Sequence, residues 1–111
     1  MNIPYDSQQL DSVLDALANQ KRRGILHELS LKPSTVSRLA YDFDLSLPAI
    51  HKHIRILESA DLIIRKKLGR TNFLALNPKT LSLAQRWIGQ YKTQWGNVDA
   101  SLTNYITRMQ E

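Results

Sequence analysis

Apolar positions fall into short periodic runs separated by clear stop signals. Leu10, Val13, Leu14 and Leu17 recur at helical spacing and predict a first amphipathic helix. Asn19 suits the cap of a second helix, whose inner stripe is Ile25, Leu26 and Leu29. Lys32-Pro33 stops that helix, because the residue before a proline is pushed out of the α region. Ser34 or Thr35 can cap a short third helix with Val36, Leu39, Ala40 and Phe43 turned inward. Ser46 caps a fourth, running to about Ala60, with Pro48 tolerated in its first turn. Two β-prone runs, 62–68 and 71–76, flank Gly69-Arg70 and read as a hairpin with a basic tip. Asn77-Pro78 then caps a last helix, with proline just inside its start.

Only a few residues, around 42–45, separate the third and fourth helices, so a tight turn joins them. Two short helices joined in this way form a helix-turn-helix, whose second member can enter a major groove. A basic hairpin following that pair gives the winged-helix order. The expected fold is mainly α with a small β-hairpin, a single domain over residues 1–111. Its winged-helix core spans about 10–78, and 78–111 forms a terminal helix.

That terminal segment carries its own pattern. Ala84, Ile88, Tyr91, Trp95, Val98, Leu102, Tyr105 and Met109 follow alternating steps of four and three, an a/d seam near period 3.5. An unbroken helix from 78 to 109 would be about 48 Å long at about 1.5 Å per residue, more than a domain this size needs. Gly89 and Gly96 mark where it could bend or be interrupted. The seam either covers its own domain's core or is shared with a partner subunit. Its length and aromatic content favour sharing. The interface residues expected in it are Ile88, Tyr91, Trp95, Val98, Leu102, Tyr105 and Met109, completed by Leu10, Val13, Leu14 and Leu17 of the first helix.

Charge sharpens this picture. The net charge is +5, and its distribution says more than its total. Residues 46–76 hold six Lys/Arg (Lys52, Arg55, Arg65, Lys66, Lys67, Arg70) against two acids, whereas residues 1–45 hold five against six. The basic excess therefore sits on the fourth helix and hairpin, as a nucleic-acid surface requires. On the fourth helix, Leu47, Ile50, Ile54 and Leu57 form the stripe expected to face the core. The opposite side presents Pro48, Lys52, Arg55 and Ser59, flanked by His51 and His53, with Ile56 close by and without a partner. That face is rich in donors for phosphates and base edges. The candidate contacts to double-stranded DNA are Ser34, Thr35, Ser46, Leu47, Pro48, Ala49, His51, Lys52, His53, Arg55, Lys66, Lys67, Arg70 and Thr71.

Other chemistries find little support. There is no cysteine, which removes disulfides, thiolate metal sites and cysteine nucleophiles together. His27 falls away from its helix's apolar stripe, and His51 and His53, two apart, point in different directions on one helix. No metal site, cofactor site or nucleophile–base arrangement stands out, so an enzyme is not expected. The longest apolar run, 73–76, is far short of the roughly 20 residues a spanning helix needs. With no basic start and apolar run at the N-terminus, a cytoplasmic protein is expected.

Two motifs carry a family resemblance. Leu17-Ala18-Asn19-Gln20-Lys21-Arg22-Arg23-Gly24-Ile25-Leu26 resembles the "LADPTRRRIL" segment of the ArsR-type winged-helix repressors. Ser46-Leu47-Pro48-Ala49-Ile50-His51-Lys52-His53-Ile54-Arg55-Ile56-Leu57 is similar to their recognition-helix motif, "SQPAVSQHLKVL", and Ala60-Asp61-Leu62-Ile63 to their "AGLV" lead-in to the wing. The likeness covers about residues 10–78, with a weaker echo around 95–99. It implies a homodimeric, sequence-specific DNA-binding repressor, usually released by an inducer, whose identity the residues leave open. Many such proteins sense metal through a "CVC" pair in the third helix. Here Thr35-Val36-Ser37 stands in its place, with hydroxyls that are poor ligands for soft metals. Others use His and carboxylate ligands in the last helix, but no histidine follows His53. The resemblance is therefore to a member that does not sense metal. The competing reading is a winged-helix module that binds protein and not a specific DNA sequence.

Overall fold

The computed structural model describes residues 7–91 and 98–110. Helices α1 (Ser7–Leu17), α2 (Gln20–Leu31), α3 (Val36–Asp42) and α4 (Leu47–Ser59) follow in order, with the two-residue strand β1 (Ser34–Thr35) between α2 and α3. The hairpin β2 (Ile63–Leu68) and β3 (Thr71–Leu76) comes next, then α5 (Pro78–Gly89) and α6 (Val98–Met109). The protein is a winged helix-turn-helix, helical with a small antiparallel sheet.

Local chemistry sets these boundaries. The side chains of Asn19, Thr35 and Ser46 accept from the main-chain N–H three residues on, at 3.1, 3.1 and 3.2 Å, and so start α2, α3 and α4. Asp44 closes the turn between α3 and α4 at φ 52°, and Asp61 leaves α4 for the wing at φ 61°. Both lie in the left-handed region that aspartate tolerates better than most residues. Gly69 takes φ 61° at the hairpin tip, where Leu68 pairs with Thr71 across a two-residue loop.

The core gathers one face of each element. Val13, Ile25, Leu39, Ile50, Ile54, Leu57, Leu62 and Leu74 are fully buried. Each contributes roughly 1.5–3 kcal/mol by leaving water. The inner stripes expected of α2 and α3 are the ones observed, with Phe43 packed at the core's edge. Gly24 permits that packing: a Cβ there would lie 2.7 Å from Cε1 of Phe43. Ile56, unpartnered in the sequence, is half-buried against the core and shares a groove with Ser12 and Asp15 of α1.

Three points differ from expectation. Asn77 makes no side-chain cap bond at the start of α5; its Nδ2 donates instead to the Asp61 carbonyl and to Thr80 Oγ1. Leu47 does not join the inner stripe of α4; it is 53% exposed, because it stands in the first turn, beyond the reach of the core that Ile50 enters. Strand β1 was not foreseen. Its Ser34 and Thr35 pair with Leu74 and Phe73, giving the sheet order β1-β3-β2. A strand this short has no period to read and forms only because β3 supplies its partner.

The terminal segment is interrupted, as Gly89 allowed. Helix α5 ends at Gly89, where a helix gains least from its side chain, and the N–H groups of Gln90 and Tyr91 turn back onto Trp87 and Ile88. Trp87 and Tyr91 meet edge to face at 5.2 Å across that turn. Helix α6 resumes at Val98, and Trp95 lies outside the described residues. No residue of α6 is buried. The radius of gyration is 19.5 Å, against about 13 Å for a compact chain of this length.

Candidate nucleic-acid interface

The α3–α4 turn fixes the angle of the recognition helix. Leu45 N–H donates to the carbonyl of Ala40 at 2.9 Å, and Lys21 Nζ reaches from α2 to the carbonyl of Phe43 at 3.2 Å. The turn is thus tied to the helix behind it, and α4 projects its polar side outward. Pro48, Lys52, Arg55 and Ser59 are exposed along that side, and Ala49, His51 and His53 are half-exposed at its margins.

Between α3, α4 and the hairpin tip lies a groove of about 390 Å³, lined by Thr35, Val36, Ser37, Leu47, His51, Arg70, Thr71 and Asn72. It joins the first turns of both helices to the wing, so recognition helix and wing present one continuous surface. Lys66, Lys67 and Arg70 are exposed on the wing. Thr35 and Ser46 spend their hydroxyl lone pairs partly on capping, which positions the helix starts against this groove. Ser34 is not brought here. It lines the neighbouring groove with Glu28, Lys32, Pro33, Arg38, Asp42 and Phe73.

Arg65 leaves the basic cluster. Its Nε and Nη2 donate to Glu58 Oε2 and Oε1 at 3.0 and 2.7 Å, which neutralises it and ties β2 to the end of α4. This hydrogen bond to the carboxylate raises the already high pKa of Arg65. Five of the six cations counted along 46–76 thus remain on the surface outside this pair: Lys52, Arg55, Lys66, Lys67 and Arg70.

Sequence reasoning missed Arg22 and Arg23 as working residues. Arg22 Nε and Nη2 donate to the carbonyls of Ala16 and Asp15 at 2.8 and 3.2 Å, and Arg23 Nη1 to that of Leu17 at 2.8 Å. They close the C-terminal end of α1, whose carbonyls have no partner within the helix. The arginine pair in the first family motif was the available signal. His53 sits beside Arg22; burial first, then the charges of Arg22, Lys52 and Lys21, hold its pKa below the ordinary imidazole value.

Of the residues expected to face a partner, Leu10 and Val13 prove to be buried within the chain itself, Val13 completely, so Val13 has no surface left for a partner. Leu14 and Leu17 keep part of theirs. Ile88, Tyr91, Val98, Leu102, Tyr105 and Met109 are each more than half exposed.

A helix-turn-helix with a basic wing defines a DNA-binding protein of the winged-helix class, and the comparisons agree. A family described as "Helix-turn-helix domain" matches residues 17–65. The chain is 30% identical over 84 residues to the HTH-type transcriptional regulator Rv2034 of Mycobacterium tuberculosis, covering 76% of this chain and 78% of that protein. It is similar to the crystal structure of an ArsR family transcriptional regulator, RHA00566, with a TM-score of 0.76 and 35% identity, over 82% of this chain and 94% of the other. It also shares its fold with the homodimeric winged helix-turn-helix DNA-binding domain Mb0332 from Mycobacterium bovis, with a TM-score of 0.64 and 21% identity, over 75% and 79% of the two chains. The chain belongs to the ArsR family of winged helix-turn-helix transcriptional regulators. It is a DNA-binding regulator of transcription and not an enzyme. Among the described residues no helix is long and apolar enough to cross a membrane.

Proposed function

We propose that this protein is a homodimeric repressor that binds a pseudo-palindromic operator in the cytoplasm. The observation that carries the reading is the continuous surface formed by α4, the groove beside it and the wing, with Lys52, Arg55, Lys66, Lys67 and Arg70 exposed along it. Helix α4 of each subunit enters one major-groove segment, with Lys52, Arg55 and His51 toward base edges. Lys66, Lys67 and Arg70 grip the adjacent backbone. Occupying the operator blocks transcription, in keeping with the repressors that the two motifs resemble.

The second copy is supported by the bare helix α6, whose Val98, Leu102, Tyr105 and Met109 stay exposed at steps of four, three and four. A row of apolar side chains that long is costly in water and is covered when two such helices meet. The homodimeric state of the Mycobacterium bovis domain points the same way.

The signal that releases the operator is proposed not to be a thiophilic metal at the third helix. Thr35 is occupied in capping α3, and Ser37 is an exposed hydroxyl. Zinc, cobalt or arsenite should leave operator affinity unchanged. A stoichiometric release that substitutions at Thr35 or Ser37 abolish would refute this.

Selection of bound duplexes from a random DNA pool tests the main reading. An inverted-repeat consensus, protected over two half-sites about one helical turn apart, is the expected result. Recovery of no consensus would favour the protein-interaction module instead.

A further inference from the structure

Arg22 stands at the meeting point of three helices. Its guanidinium uses Nε and Nη2 on the carbonyls of Ala16 and Asp15 at the end of α1, and Nη1 on His53 Nδ1 of α4 at 3.4 Å. A guanidinium has only donors, so the imidazole nitrogen facing it must be the acceptor. In a neutral ring the remaining proton then sits on Nε2, on the opposite edge. That N–H finds no hydrogen-bond partner among the described residues, although His53 is half-buried. No buried side-chain nitrogen or oxygen among the described residues lacks a partner, so this Nε2 edge is open to solvent and free to meet an acceptor outside the protein.

The position of the ring says which acceptor. His53 lies on the flank of α4 that faces α2, away from the wing groove that His51 lines. In a helix-turn-helix the helix before the recognition helix crosses the sugar–phosphate backbone, and donors on the margins of the recognition helix are within reach of phosphate oxygens. The charged groups around the ring, Arg22 and Lys21 on α2 and Lys52 on α4, are all cations; Asp15 of α1 offers Arg22 its main-chain carbonyl.

We propose that Arg22 is a positioning residue for DNA binding: it fixes His53 as the Nε2–H tautomer, and that N–H donates to a backbone phosphate of the operator. The proposal deepens the DNA-binding assignment and rests on it. Burial and the cationic surroundings lower the pKa of His53 and so favour the neutral ring, whose contact with a phosphate is a directed hydrogen bond and not a point charge.

Glutamine and asparagine separate the two edges of the ring, since glutamine places its amide near the Nε2 position and asparagine near Nδ1. His53→Asn should keep a group for Arg22 and lose the DNA donor; His53→Gln should do the reverse. On a duplex recovered from the random pool, His53→Asn is expected to bind about 3- to 10-fold more weakly per half-site than His53→Gln, the range of one lost hydrogen bond. The same ratio should appear on scrambled DNA, as a phosphate contact requires. Equal binding by the two variants, tighter binding by His53→Asn, or a difference confined to the selected duplex would each overturn the proposal.

Ring nitrogen shifts of His53, read by NMR on the unmodified chain without DNA, give an independent test. A protonated Nε2 and bare Nδ1 are expected at pH 7.5, and a protonated Nδ1 would refute the tautomer. Arg22→Gln, which removes one of the charges that lower the His53 pKa and can either donate to or accept from Nδ1, should mix the tautomers and raise the His53 titration midpoint, or the role of Arg22 fails. Absence of any binding by the parent protein would count against the DNA assignment itself, which the NMR result would leave separate.

Discussion

Arg65 and Glu58 form a two-pronged ion pair, at 3.0 and 2.7 Å, that joins the first strand of the wing to the last turn of the recognition helix. The two elements that meet DNA are thus held at a fixed angle by side chains seven residues apart. Both side chains are about 30% exposed, so solvent takes much of the pair's strength. Glu58→Ala is expected to cost roughly 0.5–1 kcal/mol of stability, measured by urea unfolding. A midpoint equal to the parent's would show that the wing is held without it.

The five cations outside that pair set the salt response. If a dimer neutralises about 6 to 10 phosphates, log affinity should fall against log salt with a slope of roughly −5 to −9. Titration of a labelled duplex across salt concentrations measures it. A flat response would exclude this surface as the binding face.

Recognition helix and wing should fail differently. Lys52→Ala should lose affinity together with about 1–3 kcal/mol of discrimination at one base pair, as a residue reaching a base edge does. Arg70→Ala, at the wing tip, should weaken selected and scrambled duplexes alike. Identical profiles for the two variants would contradict this division.

Asp61 occupies a left-handed conformation, φ 61°, at the position where the family motif reads glycine. Its carbonyl accepts from Asn77 Nδ2 and Thr80 Oγ1, which pins the turn between α4 and the wing. Asp61→Gly should therefore leave the fold intact and stabilise it by about 0.5–1 kcal/mol, relieving the side-chain strain. Asp61→Val should destabilise by about 1–3 kcal/mol, because a β-branched residue fits this region badly. Thermal unfolding of both variants decides it, and a more stable valine variant would mean the turn is not strained.

Dimerisation through α6 should be needed for tight operator binding. Leu102 is 53% exposed near the middle of that helix, between Val98 and Tyr105. Leu102→Glu removes a burial worth about 1.5–3 kcal/mol, and a symmetric interface counts it twice. The variant should shift toward monomer and lose about 10²-fold or more in operator affinity, since a monomer forfeits the tethered second reader. The core around Leu39, Ile54 and Leu57 should stay folded by circular dichroism. A variant that remains dimeric by molar mass would place the interface elsewhere.

The sequence by itself determined what is local. Asn19, Ser46 and the pair Ser34-Thr35 marked helix starts because a cap is made within three residues, and Ile25, Leu39 and Ile54 marked inner faces because helical period is a property of one segment. The hairpin was legible for the same reason, with β-prone runs on either side of Gly69-Arg70. Tertiary structure decided what depends on partners distant in the chain. Strand β1 exists only beside β3, and Leu47 is exposed because the core ends one turn short of it. Arg65 was read as a cation for DNA until Glu58 took it, and Arg22 meets His53 across 31 positions. The a/d spacing runs through Gly89, which the sequence marked as a place to bend or break; the structure decided that α5 stops there, since a period records side-chain repeats and not backbone continuity. Long-range pairs of this kind have no sequence period, because the fold alone brings their members within hydrogen-bond distance.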